Sequence, residues 1–259
     1  MHYMNEIDID LSRYTNPSQR IRVMSEAWVG SIIFCPSCGA HLNSAENGRE
    51  ACDFLCSDCT EEFELKSKSQ KIGAKIVNGA YATLMERVAS QNNPNLYVLQ
   101  YDKASYAVKN FLVVPNYFFT QSIVERRNPL AVTARRAGWI GCNILIGKVP
   151  NVGRIHYIID GEVRPRDRIL ASWNQTKFLR DGFDDSGKGW LLDTMKCIDL
   201  IGKNEFSLDE IYNFEEKLKF NHPKNNHIKD KLRQQLQILR DKGILEFLSR
   251  GKYRVISAG

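Results

Sequence analysis

The chain has 259 residues, of which 43% are hydrophobic, enough for one large domain or two smaller ones with a real core. Its 36 Lys and Arg residues exceed 30 Asp and Glu, and a net charge of +6 is compatible with a polyanionic partner without establishing one. Seven cysteines favour a reducing compartment over a disulfide framework. No apolar run approaches about 18 residues and no signal peptide is evident, so we expect a cytoplasmic protein without a membrane partner.

The first predicted element is a helix over residues 17–33, because apolar residues recur there every three or four positions. Asn16 or Ser18 could cap its N-terminus. Glu26 lies off the apolar stripe, and it is either a surface acid or an acid that reaches a site beyond the helix.

Two Cys-x-x-Cys pairs follow, separated by 17 residues. This spacing is typical of a structural zinc site, because zinc takes four thiolates at tetrahedral corners and each pair supplies two. Cys52 is a possible rival ligand, whereas Cys142 and Cys197 are expected in the core. The predicted zinc ligands are Cys35, Cys38, Cys56 and Cys59.

Asp53, Glu64 and Lys66 have the Asp-x10-Glu-x-Lys spacing of the nuclease motif written PD-(D/E)xK, although Cys52 stands where the strict motif has proline. Residues 62–66 alternate polar and apolar, which predicts a strand with Glu64 and Lys66 on one face. Residues 51–55 would form the partner strand and present Asp53. Two carboxylates on adjacent strands favour Mg²⁺, which would activate water, and Lys66 would stabilise charge on the phosphate.

This motif has a plainer alternative. Glu-x-Lys is a common tripeptide, and by itself it fits a solvated strand face. Asp53 at the appropriate distance is what favours a catalytic site. Residues 67–79, rich in lysine, are either a solvated loop or a phosphate-contacting one.

Further along, a helix is predicted at 80–90, strands at 96–101, 106–114 and 154–160, and a short helix through 118–125. Strands mixed with helices predict an α/β core with a mixed sheet.

The segment 129–143 places Arg135, Arg136 and Trp139 among small residues and glycines. Either the tryptophan is buried under a loop, or the loop presents it with the two arginines to DNA. The adjacent arginine pair favours DNA contact.

The pattern changes after a predicted linker at 183–189. Helices follow at 190–201, from a capping box at 207–210 to about 218, and at 227–242, and a hairpin pairs 244–248 with 253–256. Three helices followed by a hairpin are typical of a winged helix. We therefore predict a nuclease domain over 1–183 and a winged-helix domain over 184–259.

Residues 219–259 contain ten Lys or Arg and three acids. In a winged helix the third helix enters the major groove and its first residues reach base edges, while the wing contacts phosphates. A basic protein-interaction module is the alternative. The predicted base-reading residues are Asn225, Asn226, His227 and Lys229, and the predicted phosphate-contacting residues are Arg250, Lys252 and Arg254.

Long segments resemble the DpnI-like methyl-directed (type IIM) restriction endonucleases over nearly the whole chain. These are EEFELKSK (61–68), NGAYAT (78–83), TARRAGWIGCNI (133–144), PKNNHIK (223–229) and RQQLQILRDK (233–242). The resemblance implies a PD-(D/E)xK domain with an embedded four-cysteine zinc site and a C-terminal winged helix. It implies Mg²⁺-dependent cleavage of double-stranded DNA at adenine-methylated GATC, with Asp53, Glu64 and Lys66 as the catalytic set. We expect a monomer in solution.

Two other functions are compatible with parts of the pattern. A transcription regulator would combine a zinc ribbon with a winged helix, but it has no reason to concentrate acids where DNA approaches. A DNA-repair or junction nuclease could share the catalytic core, but it would not need the winged helix or the Trp139 loop.

Overall fold

The computed structural model describes residues 2–46, 52–180 and 182–256. Within them, the largest sheet has seven strands. In spatial order these are β1 (Leu42–Ser44), β2 (Phe54–Cys56), β3 (Glu62–Lys68), β5 (Asn95–Tyr101), β6 (Val108–Val114), β9 (Ile155–Ile159) and β10 (Glu162–Val163). The pair β3–β5 at the centre is parallel, while the other neighbours are antiparallel. This confirms the predicted α/β core with a mixed sheet.

A second, three-stranded sheet lies beside β3 and has the order β4 (Ile76–Ala80), β8 (Gly141–Ile144) and β7 (Val124–Arg126). The helices of this part of the chain are α1 (Pro17–Ile32), α2 (Tyr81–Ala89) and α3 (Arg166–Thr176). Asn16 caps α1, since its side chain accepts a hydrogen bond from the Ser18 N–H at 2.8 Å.

Aromatic side chains fill the space between the large sheet and α1. Phe63 and Tyr97 stack across the parallel strand pair with centroids 4.6 Å apart, and Trp28 of α1 meets Phe111 edge to face. All four are buried. The strand that carries the Glu-x-Lys motif is therefore anchored in the core on one face.

The C-terminal part packs helices against a small three-stranded sheet. It comprises α4 (Asp185–Ile201), β11 (Glu205–Ser207), α5 (Leu208–Tyr212), α6 (Glu215–Asn221), α7 (Ile228–Asp241), β12 (Leu245–Ser249) and β13 (Lys252–Val255). The order of the strands is β11–β13–β12. Ser207 and Glu210 form the predicted capping box at the start of α5.

Several predicted elements were wrong in extent. The predicted linker 183–189 is mostly helix, because the Asp184 side chain caps α4 by accepting from the Gly187 N–H at 2.7 Å. Residues 67–79 are not one loop, since β3 runs to Lys68 and β4 begins at Ile76. The helix predicted to reach 218 is broken into α5 and α6.

The predicted strand 51–55 is displaced. Ala51 lies outside the described residues, and β2 spans Phe54–Cys56, so that Asp53 immediately precedes the strand. Residues 118–125 form two 3-10 turns and the start of β7 rather than one helix. Helix α3 was not predicted at all.

Across the described ranges, no helix is both long enough and apolar enough to cross a membrane.

Candidate active site and metal centre

Four cysteine thiols converge between the end of α1 and the β2–β3 turn. The ligand-capable sulfur atoms of Cys35, Cys38, Cys56 and Cys59 all lie within 4.8 Å of one another. The first pair sits in a tight turn, where the Gly39 N–H donates to the Cys35 carbonyl at 2.8 Å and Gly39 takes a positive φ of 84°. The cluster is the one that the two Cys-x-x-Cys pairs predicted, and it could hold a metal ion.

The donor set fits a four-coordinate metal. Individual Sγ–Sγ distances are 3.3 Å for Cys38–Cys56 and 3.7 Å for Cys35–Cys59, close to the separation of about 3.8 Å for sulfurs around zinc at about 2.3 Å. Burial raises the pKa of the Cys35 thiol, and it raises the pKa of Cys59 to about 11. A bound divalent cation would favour the thiolates that burial alone opposes.

The other cysteines stand apart from the cluster. Cys52 is buried, and its thiol lies 3.4 Å from the Phe54 carbonyl, so it is not a fifth member. Cys142 and Cys197 are buried, as predicted.

Asp53 and Glu64 lie on neighbouring segments of the β2–β3 hairpin. Phe54 pairs with Phe63, so continuing the register by one residue places Asp53 opposite Glu64. Two hydrogen bonds hold this arrangement: the Asp53 N–H donates to the Phe63 carbonyl at 2.8 Å, and the Leu65 N–H donates to Asp53 Oδ2 at 2.7 Å. The hairpin thus places Asp53 and Glu64 at opposed positions.

Glu64 is surrounded by positive and polar groups although only 9% of it is exposed. Lys66 Nζ lies 2.6 Å from Glu64 Oε1, and Asn78 Nδ2 approaches Oε2 at 3.4 Å. Asn78 comes from β4 of the second sheet, where it pairs with Cys142. Sequence reasoning missed Asn78 as a site residue, because its contact with Glu64 depends on how the two sheets meet.

Helix α1 supplies a further charged pair. Arg22 Nη2 lies 3.6 Å from Asp53 Oδ1, and Arg22 Nε lies 2.5 Å from Glu26 Oε1. Glu26 therefore belongs to the surroundings of Asp53 rather than to a remote surface. The one local signal for Arg22 was its i, i+4 spacing to Glu26, which by itself indicates only a helix-surface pair.

Asp53 and Glu64 are the residues of this hairpin that could hold a divalent cation. In the described part of the chain, no third His, Cys, Asp or Glu joins Asp53 and Glu64 in a close ligand set. Mg²⁺ is usually held by one or two carboxylates and keeps several waters, so two suffice.

The loop between β7 and β8 projects from the same small sheet as Asn78. It is closed by backbone hydrogen bonds from the Leu130 N–H to the Trp139 carbonyl at 2.9 Å and from the Gly138 N–H to the Leu130 carbonyl at 3.0 Å. Trp139 is half-buried and covers Gly141, where a Cβ would stand 2.8 Å from the indole.

Arg135 and Arg136 are exposed on this loop, and the Arg136 guanidinium lies 4.6 Å from the centre of the Trp139 ring. The predicted trio is thus presented on one loop, and the indole is neither fully buried nor fully exposed. Val132 at the loop tip is 92% exposed.

At the start of α7 the predicted base-reading residues differ in their surroundings. Asn226 and His227 are exposed. Asn225 is half-buried, and its Oδ1 accepts from the His227 N–H at 2.7 Å, so its side chain already shapes the turn. Lys229 is exposed, lies 3.3 Å from Glu215 and sits over the Tyr212 ring.

The basic residues of the wing differ in whether they form ion pairs with carboxylates. Arg250 and Lys252 are exposed at the tip of the β12–β13 hairpin. Arg254 contacts two carboxylates across the small sheet, Glu205 at 2.8 Å and Glu246 at 3.1 Å. Its charge is largely offset by these neighbours.

Comparison with known protein families gives two matches. A family model described as DpnI, the Dam-replacing family, matches residues 1–182. A second model, described as the Dam-replacing HTH domain, matches residues 186–255.

Proposed function

The chain belongs to the DpnI or Dam-replacing family of methyl-dependent restriction enzymes that act on DNA, and we propose that it hydrolyses double-stranded DNA at adenine-methylated GATC sites with Mg²⁺. The observation that carries the proposal is the placement of Asp53 opposite Glu64 next to the Phe54–Phe63 pair of the β2–β3 hairpin, with Lys66 Nζ 2.6 Å from Glu64. A transcription regulator would have no use for this arrangement.

Each residue of the site has a proposed task. Asp53 and Glu64 would hold the magnesium ion, which when bound polarises the phosphodiester and lowers the pKa of water. Lys66 would place its positive charge beside the phosphate as negative charge develops there. Asn78 would keep the Glu64 carboxylate oriented, and Arg22 would do the same for Asp53.

The metal at the four-cysteine cluster is proposed to be zinc with a structural role. Four thiolates fill a tetrahedral shell and leave no position for substrate. Cys56 ends β2 and Cys59 precedes β3, so the zinc site would close the hairpin that carries Asp53 and Glu64.

We place the division between the nuclease and winged-helix domains at 183/184. Asp184 caps α4, which begins the C-terminal part. DNA would then contact both the 129–143 loop and the start of α7.

The methyl mark is proposed to be read in both domains. In paired N6-methyladenine the methyl group points toward N7, so the major-groove edge loses its free N6 donor and an asparagine can no longer bond both atoms. Trp139 offers an apolar surface instead, with Arg135 and Arg136 beside it for phosphate or guanine. One methyl group gives about 1–3 kcal/mol of discrimination, roughly 10–200-fold, so two separate readings would multiply.

We therefore expect plasmid grown with adenine methylation to be cut and unmethylated plasmid to be spared. Trp139→Ala should lower the ratio of the two rates by about tenfold or more, because the apolar contact is removed. Trp139→Phe is the matched control and should retain most of the preference. Equal cleavage of both plasmids by the unaltered enzyme at physiological salt would contradict the proposal that cleavage depends on the methyl group.

For the wing, Lys252→Gln should weaken binding to all duplex sequences and reduce the salt dependence of log K by about 0.9, one phosphate contact. Arg254→Gln should have a smaller effect, because Glu205 and Glu246 already offset its charge. Fluorescence anisotropy across a salt series measures both. Lys103→Gln, in the distant β5–β6 turn, is the control, and an unchanged slope for Lys252→Gln would contradict the wing assignment.

A further inference from the structure

A cavity of about 630 Å³ lies between the large sheet with α3 and the C-terminal helices, away from Asp53 and Glu64. Its volume falls in the range of small-molecule sites. Two hydrogen-bonded ties cross the boundary beside it. Gln175 of α3 donates to the carbonyls of Gly243 and Ile256, and the Asn151 N–H donates to Asp199 at 2.7 Å.

One side of this cavity is strongly basic. The cavity is lined by four basic residues, Arg154, Arg164, Arg168 and Lys203. Asp199 is the acidic residue of the described lining. Lys203 is already paired with Glu210 at 2.6 Å. Arg154 is partly offset by the nearby carboxylate of Asp199. Within the described residues no ion pair involves Arg164 or Arg168, so these two side chains leave a net positive charge on this side.

Two buried polar atoms on this side have no hydrogen-bond partner among the described residues, Arg154 Nε and His156 Nδ1. Buried polar groups of native proteins are nearly always paired, so each such atom is open to a partner that the described side chains do not supply. The pKa of His156 is lowered by burial and by the neighbouring Arg154 and Arg164. Arg154 Nε can only donate a hydrogen bond, so the partner that suits it is an acceptor, and an anion fits this side better than a cation.

The other side of the cavity is aliphatic. Ile169 of α3, Met195 and Ile198 of α4, and Leu245 and Ile256 from the wing region line it. Asn204 and Ser172 supply polar groups between the two sides. A ligand that matches this lining has a compact anionic part and a larger apolar part.

We propose that this cavity binds a free mononucleotide, with its phosphate at Arg154, Arg164 and Arg168 and its base against the aliphatic side. Because the lining comes from both parts of the chain, a bound nucleotide would hold them in one relative arrangement. A DNA strand is the other source of such a phosphate, and the experiment separates a DNA strand from a free mononucleotide.

The test is isothermal titration of the full-length protein with dAMP, without added divalent metal so that Asp53 and Glu64 do not recruit the phosphate. We expect one dAMP per chain, with deoxyadenosine and inorganic phosphate each binding at least tenfold more weakly. Arg164→Gln/Arg168→Gln should lower dAMP affinity at least tenfold. Both arginines are exposed, so the fold should persist, which thermal unfolding checks.

Arg13→Gln/Lys103→Gln removes two exposed charges elsewhere and should leave dAMP affinity unchanged. Hydrogen–deuterium exchange should show dAMP protecting residues 151–156 and 244–256. No dAMP binding at millimolar concentration, or equal affinity for inorganic phosphate, overturns the proposal. The proposal is also overturned if the unaltered protein binds no dAMP and the Arg164→Gln/Arg168→Gln variant binds duplex DNA more weakly. The two arginines would then belong to the DNA-binding surface.

Discussion

Asp53→Asn is expected to reduce DNA cleavage by at least about a thousandfold while the protein still folds and binds DNA. Asn has nearly the same shape, and its side-chain oxygen can still accept the Leu65 N–H that Asp53 Oδ2 accepts at 2.7 Å. What is lost is the negative charge, which a hard divalent cation requires. Measured losses for a key electrostatic group in a catalytic site are of the order of 10²–10³, and loss of the metal itself should cost more.

The matched control for this substitution is Asp58→Asn. Asp58 lies on the same hairpin, is exposed and accepts from its neighbour Ser57. Its substitution removes the same charge from the same hairpin, in the turn between Cys56 and Cys59 and not at the proposed magnesium site. Cleavage rates of methylated plasmid and duplex affinity, measured for both variants, separate a metal-binding role from a general charge effect.

Substantial cutting by Asp53→Asn would overturn the assignment of the site. Loss of both cleavage and duplex binding, together with a lower thermal transition, would instead show that Asp53 is needed for the hairpin. Glu64→Gln should reproduce the Asp53→Asn result, because the two carboxylates lie opposite each other on the hairpin.

The hairpin that carries Asp53 and Glu64 was predictable because its signals are local. The spacing of the two Cys-x-x-Cys pairs predicted which four thiols come together, and the alternation of residues 62–66 puts Glu64 and Lys66 on one face. The same holds for the Asn16 cap and the Ser207–Glu210 capping box, which depend on residues two or three positions apart.

The first turn of α4 was missed because Gly187 and Gly189 disfavour a helix interior. The structure explains them locally: Asp184 caps the turn, and a Cβ on Gly187 would stand 2.9 Å from Asp184 Oδ1. Helix α3 was missed although Ile169, Trp173 and Thr176 are buried at helical spacing. That stripe is short and lies among polar residues.

Contacts between segments that are distant in sequence could not be predicted. Arg22 meets Asp53 because α1 packs on the hairpin, and Asn78 meets Glu64 because the small sheet abuts the large one. Neither partner is marked by spacing. The contact of Arg254 with Glu205 likewise depends on β11 joining the wing hairpin, which the sequence did not reveal.

Cys56→Ser is the second substitution with a large expected effect, and it should unfold the nuclease part rather than only inactivate it. Zinc binding by four thiolates has an apparent free energy of about 10–16 kcal/mol in small zinc domains, comparable to the whole stability of a typical protein. Serine is a poor zinc ligand, so replacing one thiolate should remove much of the stabilisation that zinc binding provides. The loss falls on the hairpin, because Cys56 is the last residue of β2.

The appropriate control is Cys52→Ser on the same segment. Cys52 is buried and outside the cluster, and its thiol contacts the Phe54 carbonyl, to which a serine hydroxyl can also donate. We expect this variant to keep one zinc per chain and most of its cleavage activity. Elemental analysis and thermal unfolding, with and without a strong chelator, provide the two measurements.

Removing zinc and adding back each metal should distinguish a structural metal from a catalytic one. Chelation of zinc from the unaltered protein should lower the unfolding temperature and abolish cleavage together, and adding Mg²⁺ should restore neither. Zinc should stabilise Cys52→Ser but not Cys56→Ser, because only the former retains four thiolates. A Cys56→Ser protein that kept its metal and its native unfolding temperature would show that the cluster does not close the hairpin. Asp53 and Glu64 would then be held by the strand pairing of Phe54 with Phe63 and by the hydrogen bonds of Asp53 with Phe63 and Leu65.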